Sequence, residues 1–357
     1  MTPSPVRKVA TAVLSYGVVA LVMWLVYRTV GNSGAVSDAL SSISLVDVLI
    51  SSVFGLLYLA SMLWPMIYTL PGLTIAQAGV ARTASLALTN TVPEGGTVAT
   101  GLTFGMYRSW GFTLADSSTS IITIGIWTNL SRYVLMSVAL VFLVFFGTTS
   151  GSEVLIAVGT CVVVTAICLL VALVITNDAF ARRVGRALTR GRNMLAGRFE
   201  RIAPRDMEQV ITDFREHLLA RVRTCWRSLT ATMLLSQLLG ALALGVALRL
   251  MGTSSDEVGW DRIVVAFGAM SLAVLLAPTP GGLGVADAVL IAVLGVGMTT
   301  TQQGELVAAV VLFRMATWLL PIPLGLIAYL YWRSTKNWRV IVSRPSSAPQ
   351  PSSDPRS

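Results

Sequence analysis

Four charged side chains stand where an apolar chain does not ordinarily carry them. Arg132, in Asn129-Leu-Ser-Arg-Tyr, and Arg314, in Phe313-Arg-Met, fall well inside long apolar runs, while Glu94 and Asp287 lie beside clusters of Pro and Gly. An Arg at the centre of a membrane helix costs at least about 2.5 to 3.5 kcal/mol on insertion scales, so each asks for a partner or a function. Two chemistries fit. In the first, Arg and acid form ion pairs that lock one segment to another. In the second, the guanidinium forks bind a phosphate bidentately, while the acids bind a cationic group or a coupling proton. Asn90 and Asn129 line the same path in the second reading, whereas a lone membrane Asn is as often only an interhelical hydrogen bond.

These residues are conspicuous because so little else is charged. Of the 357 residues, 54% are hydrophobic and 12% charged, and the mean hydropathy is +0.74. Soluble domains carry roughly a quarter charged residues, so a water-soluble enzyme and a disordered chain are both excluded. Six runs are long enough for the roughly 20 apolar residues that a spanning helix needs. They cover 9–30, 45–70, 119–146, 154–176, 226–250 and 306–332. The first lacks a small-residue cleavage site and is expected to be a retained helix. Two further apolar regions, 74–107 and 263–297, are interrupted, one at Pro93, Gly95 and Gly96, the other at Pro278, Pro280, Gly281, Gly282 and Gly284.

Charge sets the expected orientation. The net charge is +9, and 24 of the 26 basic residues are Arg. Twelve of them lie in 178–227 against six acids, while the connectors 31–44, 147–153, 251–260 and 298–304 hold no Lys or Arg. The positive-inside rule places 178–227 and both termini in the cytoplasm, with the first interrupted region facing that side through Arg82 and Arg108. A nucleic-acid partner is therefore not needed to explain the basic pI. Phe199, Ile202, Met207, Val210, Ile211, Phe214, Leu218 and Leu219 recur at helical spacing within 178–227, which either lies along the anionic leaflet or is a solvated connector. Residues 343–357 read as a disordered cytoplasmic tail, leaving 1–342 as a single membrane domain.

Aligning the interrupted regions on Gly95-Gly96 and Gly281-Gly282 brings Gly111-Phe-Thr113 and Gly297-Met-Thr299 into register, each after fourteen intervening residues and without a gap. Each unit ends in an apolar run with an internal Arg. The expected fold is an all-α polytopic membrane protein of two inverted-topology repeats, about 9–146 and 154–332, with six spans and two broken, re-entrant hairpins. Discontinuous helices in inverted repeats are how secondary transporters build a site near the bilayer midplane. A helix resuming after Gly96 or Gly282 would aim its free N–H groups at whatever occupies the cavity.

Catalytic, metal and cofactor chemistry find little support. His217 is the sole His, Cys161 and Cys168 share one apolar run, and no CxxC or HxxxH pair exists. Nor is there a nucleophile–base spacing or an Asp-x-Asp cluster. Arg108, Asp116 and Glu305 are expected at interfaces, and Trp24, Trp64, Trp110, Trp318 and Trp332 in belts or packing.

The segment Pro278-Thr-Pro-Gly-Gly-Leu-Gly-Val-Ala-Asp287, followed by Leu312-Phe-Arg314 and Trp318-Leu-Leu-Pro321, resembles the signature of the lysylphosphatidylglycerol synthase transmembrane-domain family, the flippase-like proteins. Leu88-Thr-Asn-Thr-Val-Pro-Glu-Gly-Gly96 resembles that family's other, looser signature, and the likeness runs from Leu45 to Trp332. It implies a multi-pass plasma-membrane protein that moves a lipid between leaflets. Two departures stand out. The family pattern usually ends in Glu where this chain has Asp287, and the residues after Trp332 are too few for a soluble aminoacyltransferase domain. The expected function is thus a translocase for an anionic phospholipid or lipid-linked precursor, without the synthesising half. The alternatives are a scaffold or regulator working with a partner synthase or as a homo-oligomer, and a membrane-embedded lipid-modifying enzyme.

Overall fold

The computed structural model describes residues 34–92, 95–146, 207–277 and 279–335, with isolated positions between 159 and 183. Among the described residues all regular structure is helical. A short helix α1 (Gly34–Ser41) leads to α2 (Leu45–Ser61) and α3 (Leu63–Thr69), and then to a hairpin of α4 (Ile75–Thr91) and α5 (Gly95–Ser109). The long α6 (Leu114–Phe146) follows, and after it α7 (Met207–Leu250). A second hairpin pairs α8 (Trp260–Leu276) with α9 (Val285–Leu294) through a tight turn at Pro280–Gly282. Helix α10 (Thr300–Arg314) then passes through a π turn (Met315–Leu319) into α11 (Pro321–Ser334).

Among the described residues four stretches are long and apolar enough to cross a membrane, namely Leu45–Thr69, Leu114–Val138, Arg221–Leu250 and Thr300–Ser334. They correspond to four of the six expected spans; 9–30 lies outside the described residues, as does nearly all of 154–176. The starts differ from the hydropathy reading because caps, not apolar residues, begin helices. Thr299 accepts the backbone N–H of Gln302, while Gln302 accepts that of Thr299 at 2.8 Å, so α10 starts before the apolar run. Ser44 with Asp47 and Thr74 with Gln77 start α2 and α4 in the same way.

The two Gly-x-Thr tripeptides do the same local job. Gly111 and Gly297 take φ of 91° and 78°, which turn the chain out of one helix. Thr113 and Thr299 then cap the next. Each hairpin's return arm is short: α5 has 15 residues and α9 has 10. At 1.5 Å per residue these are about 22 Å and 15 Å, less than the roughly 30 Å of a hydrocarbon core.

Helix α4 packs on α5 and α11, α8 on α9 and α6, and α7 touches α2, α3, α6 and α10. Close approach rests on small residues, as between membrane helices generally. Ala78, Ala81 and Ala84 present a buried stripe on α4, and a Cβ at Gly325 of α11 would run into the Thr83 carbonyl and Ala87. The opposite faces are apolar and exposed, with Leu49, Val53 and Leu56 on α2 and Leu326, Ile327 and Leu330 on α11, as suits a lipid-facing surface.

Polar contacts at the helix ends fix which ends share a side. On one side, Asp116 at the start of α6 pairs with Arg221 of α7 at 3.2 Å, and the Trp332 indole donates to Ser109 at 3.0 Å. On the other, the Gln302 amide donates to Glu257 at 2.5 Å, and Arg262 donates to the Val296 carbonyl at 2.8 Å. The Ser254 backbone N–H and the Gln302 amide hold the Glu257 carboxyl below its ordinary range. Helix α7 has 44 residues, about 66 Å, so the last part of the Arg-rich segment runs straight into a span. Met207 to Leu250 is a single helix, so this part of the segment is continuous with the span that follows. Phe199 and Ile202 lie outside the described residues.

Candidate functional site

In the middle of the helices is a cavity of about 470 Å³, with walls from both hairpins and from α2, α6, α7 and α10. Arg82, Arg132 and Arg314 all line it, together with Asn90, Asn129 and Tyr58. Tyr58 lies within electrostatic range of the three guanidinium groups. Serines and threonines of neighbouring helices tie the walls together, Ser85 to Thr103 at 2.6 Å and Ser61 to Ser236 at 2.8 Å.

The three arginines differ in how they are held. Arg314 donates from Nε to Asp287 Oδ1 at 2.5 Å, both side chains being about 15% exposed (15% and 14%). The other carboxylate oxygen of Asp287 accepts the Gly284 backbone N–H at 2.9 Å, tying it to the start of α9. Both oxygens of Asp287 are therefore engaged within the protein. This is the ion-pair arrangement. Arg314 Nη2 is buried and has no partner among the described residues. Arg82 touches the Met62 sulfur, a weak acceptor, while its Nε is buried without a partner. Arg132 forms no ion pair with any described residue and faces the cavity beside Tyr58.

The two breaks meet near this point. Asn90, close to the end of α4, donates from its amide to the Trp318 carbonyl at 2.9 Å. A Cβ on Gly281, in the turn of the second hairpin, would fall 2.5 Å from the Trp318 indole and 3.0 Å from Asn90 Oδ1. Gly281, Gly282 and Gly284 all take positive φ, 59°, 72° and 79°, a conformation that disfavours any residue with a Cβ. Gly95 and Gly96 play another part. They form the first turn of α5, which starts at Gly95 and not after Gly96, and Gly95 has no room for a side chain against the Leu88 carbonyl. Pro280 opens the turn of the second hairpin.

Of the expected site residues, Arg132, Arg314, Asn90 and Asn129 line the cavity and Asp287 stands behind Arg314. The Asn129 amide donates to the Gly125 carbonyl of its own helix at 2.9 Å, and its Oδ1 is buried without a partner. Glu94, Pro93 and Pro278 lie outside the described residues. Two expectations are corrected. Arg82, read as a marker of the cytoplasmic face, is midway along α4 and in the cavity wall. Trp318, read as belt or packing, lines the cavity where the two breaks meet. Tyr58 was not anticipated. The signal for Arg82 was present, since it interrupts an apolar helix just as Arg132 and Arg314 do.

A multi-pass helical membrane protein with a cationic cavity where two broken hairpins meet is the class that fold and site define. A family model for the lysylphosphatidylglycerol synthase TM region matches residues 12–325, and the chain belongs to that family, a membrane domain linked to lipid synthesis or translocation. A search of curated proteins finds no match to the chain.

Proposed function

We propose that this protein is a plasma-membrane lipid translocase whose substrate is an anionic phospholipid or lipid-linked precursor. The observation that carries the reading is the imbalance in the cavity wall among the described residues: three guanidinium groups against one carboxylate, itself held by Arg314 and Gly284. In a low-dielectric site that surplus favours an anion strongly. The membrane-facing apolar helices give such a headgroup a route from either leaflet.

The architecture proposed is a pair of inverted repeats. Its support is reciprocal packing: α4 of the first unit lies on α11 of the second, α8 of the second on α6 of the first, and the two leading helices α2 and α7 on each other. Such exchange is what a two-fold axis in the membrane plane produces. The short return arms support re-entry, with both tips near the midplane. Arg221, Arg223 and Arg227 at the Arg-rich end of α7 favour a cytoplasmic location for that side, which puts both termini there. The role is carriage of the lipid without chemical change to it.

Reconstitution into vesicles holding fluorescent phospholipids and polyprenyl phosphates tests this. The expected result is protein-dependent exposure of an inner-leaflet anionic lipid to an outside quencher. No transbilayer movement of any of these lipids would overturn it. A second reading, recruitment of a partner synthase, is favoured by the extension of α7 from Met207 to Arg221 beyond its apolar part. It gains if neutralising that extension abolishes the cellular phenotype while Arg132→Ala leaves it intact.

A further inference from the structure

We infer that the cavity selects a lipid bearing a phosphate monoester, a dianionic headgroup, over phosphodiester, zwitterionic and cationic lipids. The inference rests on the translocase reading and adds the substrate class.

Charge comes first. Among the described residues the lining guanidiniums of Arg82, Arg132 and Arg314 and the Asp287 carboxylate sum to +2. A phosphate monoester carries about −1.5 to −2 at neutral pH, whereas a diester carries a single charge. An ammonium headgroup fares worst, because it adds a further positive charge to that surplus.

Hydrogen bonding points the same way. Among the described residues Arg82 Nε, Arg314 Nη2 and Trp318 Nε1 are buried and unpartnered, and all three residues line the cavity; the Asn129 Oδ1 acceptor and the Tyr107 hydroxyl, which can donate or accept, are the other such atoms there. Buried donors left unmade are costly, so a donor surplus marks a site for a ligand rich in acceptors. A monoester offers three terminal oxygens, a diester two. Arg132 adds a further fork, and guanidinium forks match phosphate geometry. Arg82, Arg132 and Arg314 belong to three different helices, α4, α6 and α10, so they approach one group from separate directions.

The test measures binding by the full-length protein in nanodiscs to four probes: phosphatidic acid, phosphatidylglycerol, phosphatidylethanolamine and inorganic phosphate. Phosphatidic acid is expected to bind about tenfold more tightly than phosphatidylglycerol, the worth of one extra charge-assisted hydrogen bond. Lowering the pH through the second phosphate ionisation, near 6, should erase that difference. Phosphatidylglycerol does not titrate there, so any slope it shares belongs to the protein and not to the lipid. Arg82→Gln and Arg132→Gln should each abolish the preference, and Arg82→Lys should keep part of it. If the Gln variants do not elute as folded protein, the pH profile of the unaltered chain decides. Equal affinity for the two anionic lipids, tighter binding of phosphatidylethanolamine, or inorganic phosphate binding as well as the lipid would each overturn the inference. A preference intact in binding with no lipid moved in vesicles would instead sink the translocase reading and leave the site standing.

Discussion

Arg132 and Arg314 follow the two Gly-x-Thr tripeptides in corresponding units, yet the protein treats them differently. Arg314 is tied to Asp287, which in turn caps α9, so helix, ion pair and hairpin form one braced unit. Arg132 has no ion-pair partner among the described residues and faces the cavity from α6. The difference separates two uses of a buried cation. One brings its own counter-charge and holds the fold; the other leaves that place for something that arrives.

Removing partners should break the comparison most visibly. Asp287→Ala leaves Arg314 buried and unpaired and is expected to destabilise by about 3 to 5 kcal/mol, read from unfolding in detergent. Arg132→Ala should leave that stability unchanged or raised and cost about tenfold in lipid movement. Similar stability losses for both would erase the distinction. A smaller effect contrasts the hairpins. Gly281→Ala places a Cβ against Trp318 and Asn90 at φ 59° and should cost about 1 to 3 kcal/mol, whereas Gly96→Ala faces open space inside a helix and should be neutral or stabilising. The unfolding midpoints of the two variants check this. Smallest is the test of the shared caps: Thr113→Ala and Thr299→Ala should each cost about 1 kcal/mol, and their double variant the sum. A double-mutant cycle would show any coupling.

What could be read from the chain alone follows the same physics. Arg132, Arg314 and Asp287 were legible because a charge inside an apolar run is rare and expensive, and the Pro-Gly clusters were legible because they stop helices. The span starts were less so, although Thr299 with Gln302 and Thr74 with Gln77 are capping boxes visible in the sequence. Arg82 was misassigned because α4, at 17 residues, is too short to register as a span, so its central Arg passed for a terminal one. The role of Trp318 was out of reach. It depends on the π turn and on the approach of two segments far apart in sequence, which no local spacing records.

That π turn also has a rotational meaning. The Leu320 N–H bonds the Met315 carbonyl, five residues back, so Met315–Leu319 holds one residue more than an α-helical turn would. One residue is about 100° of helical phase. The extra residue turns α11 relative to α10, so that Gly325 meets α4 while Arg314, a few residues earlier, points at the cavity. Phase, as much as chemistry, lets a single continuous span serve two neighbours that lie in different directions.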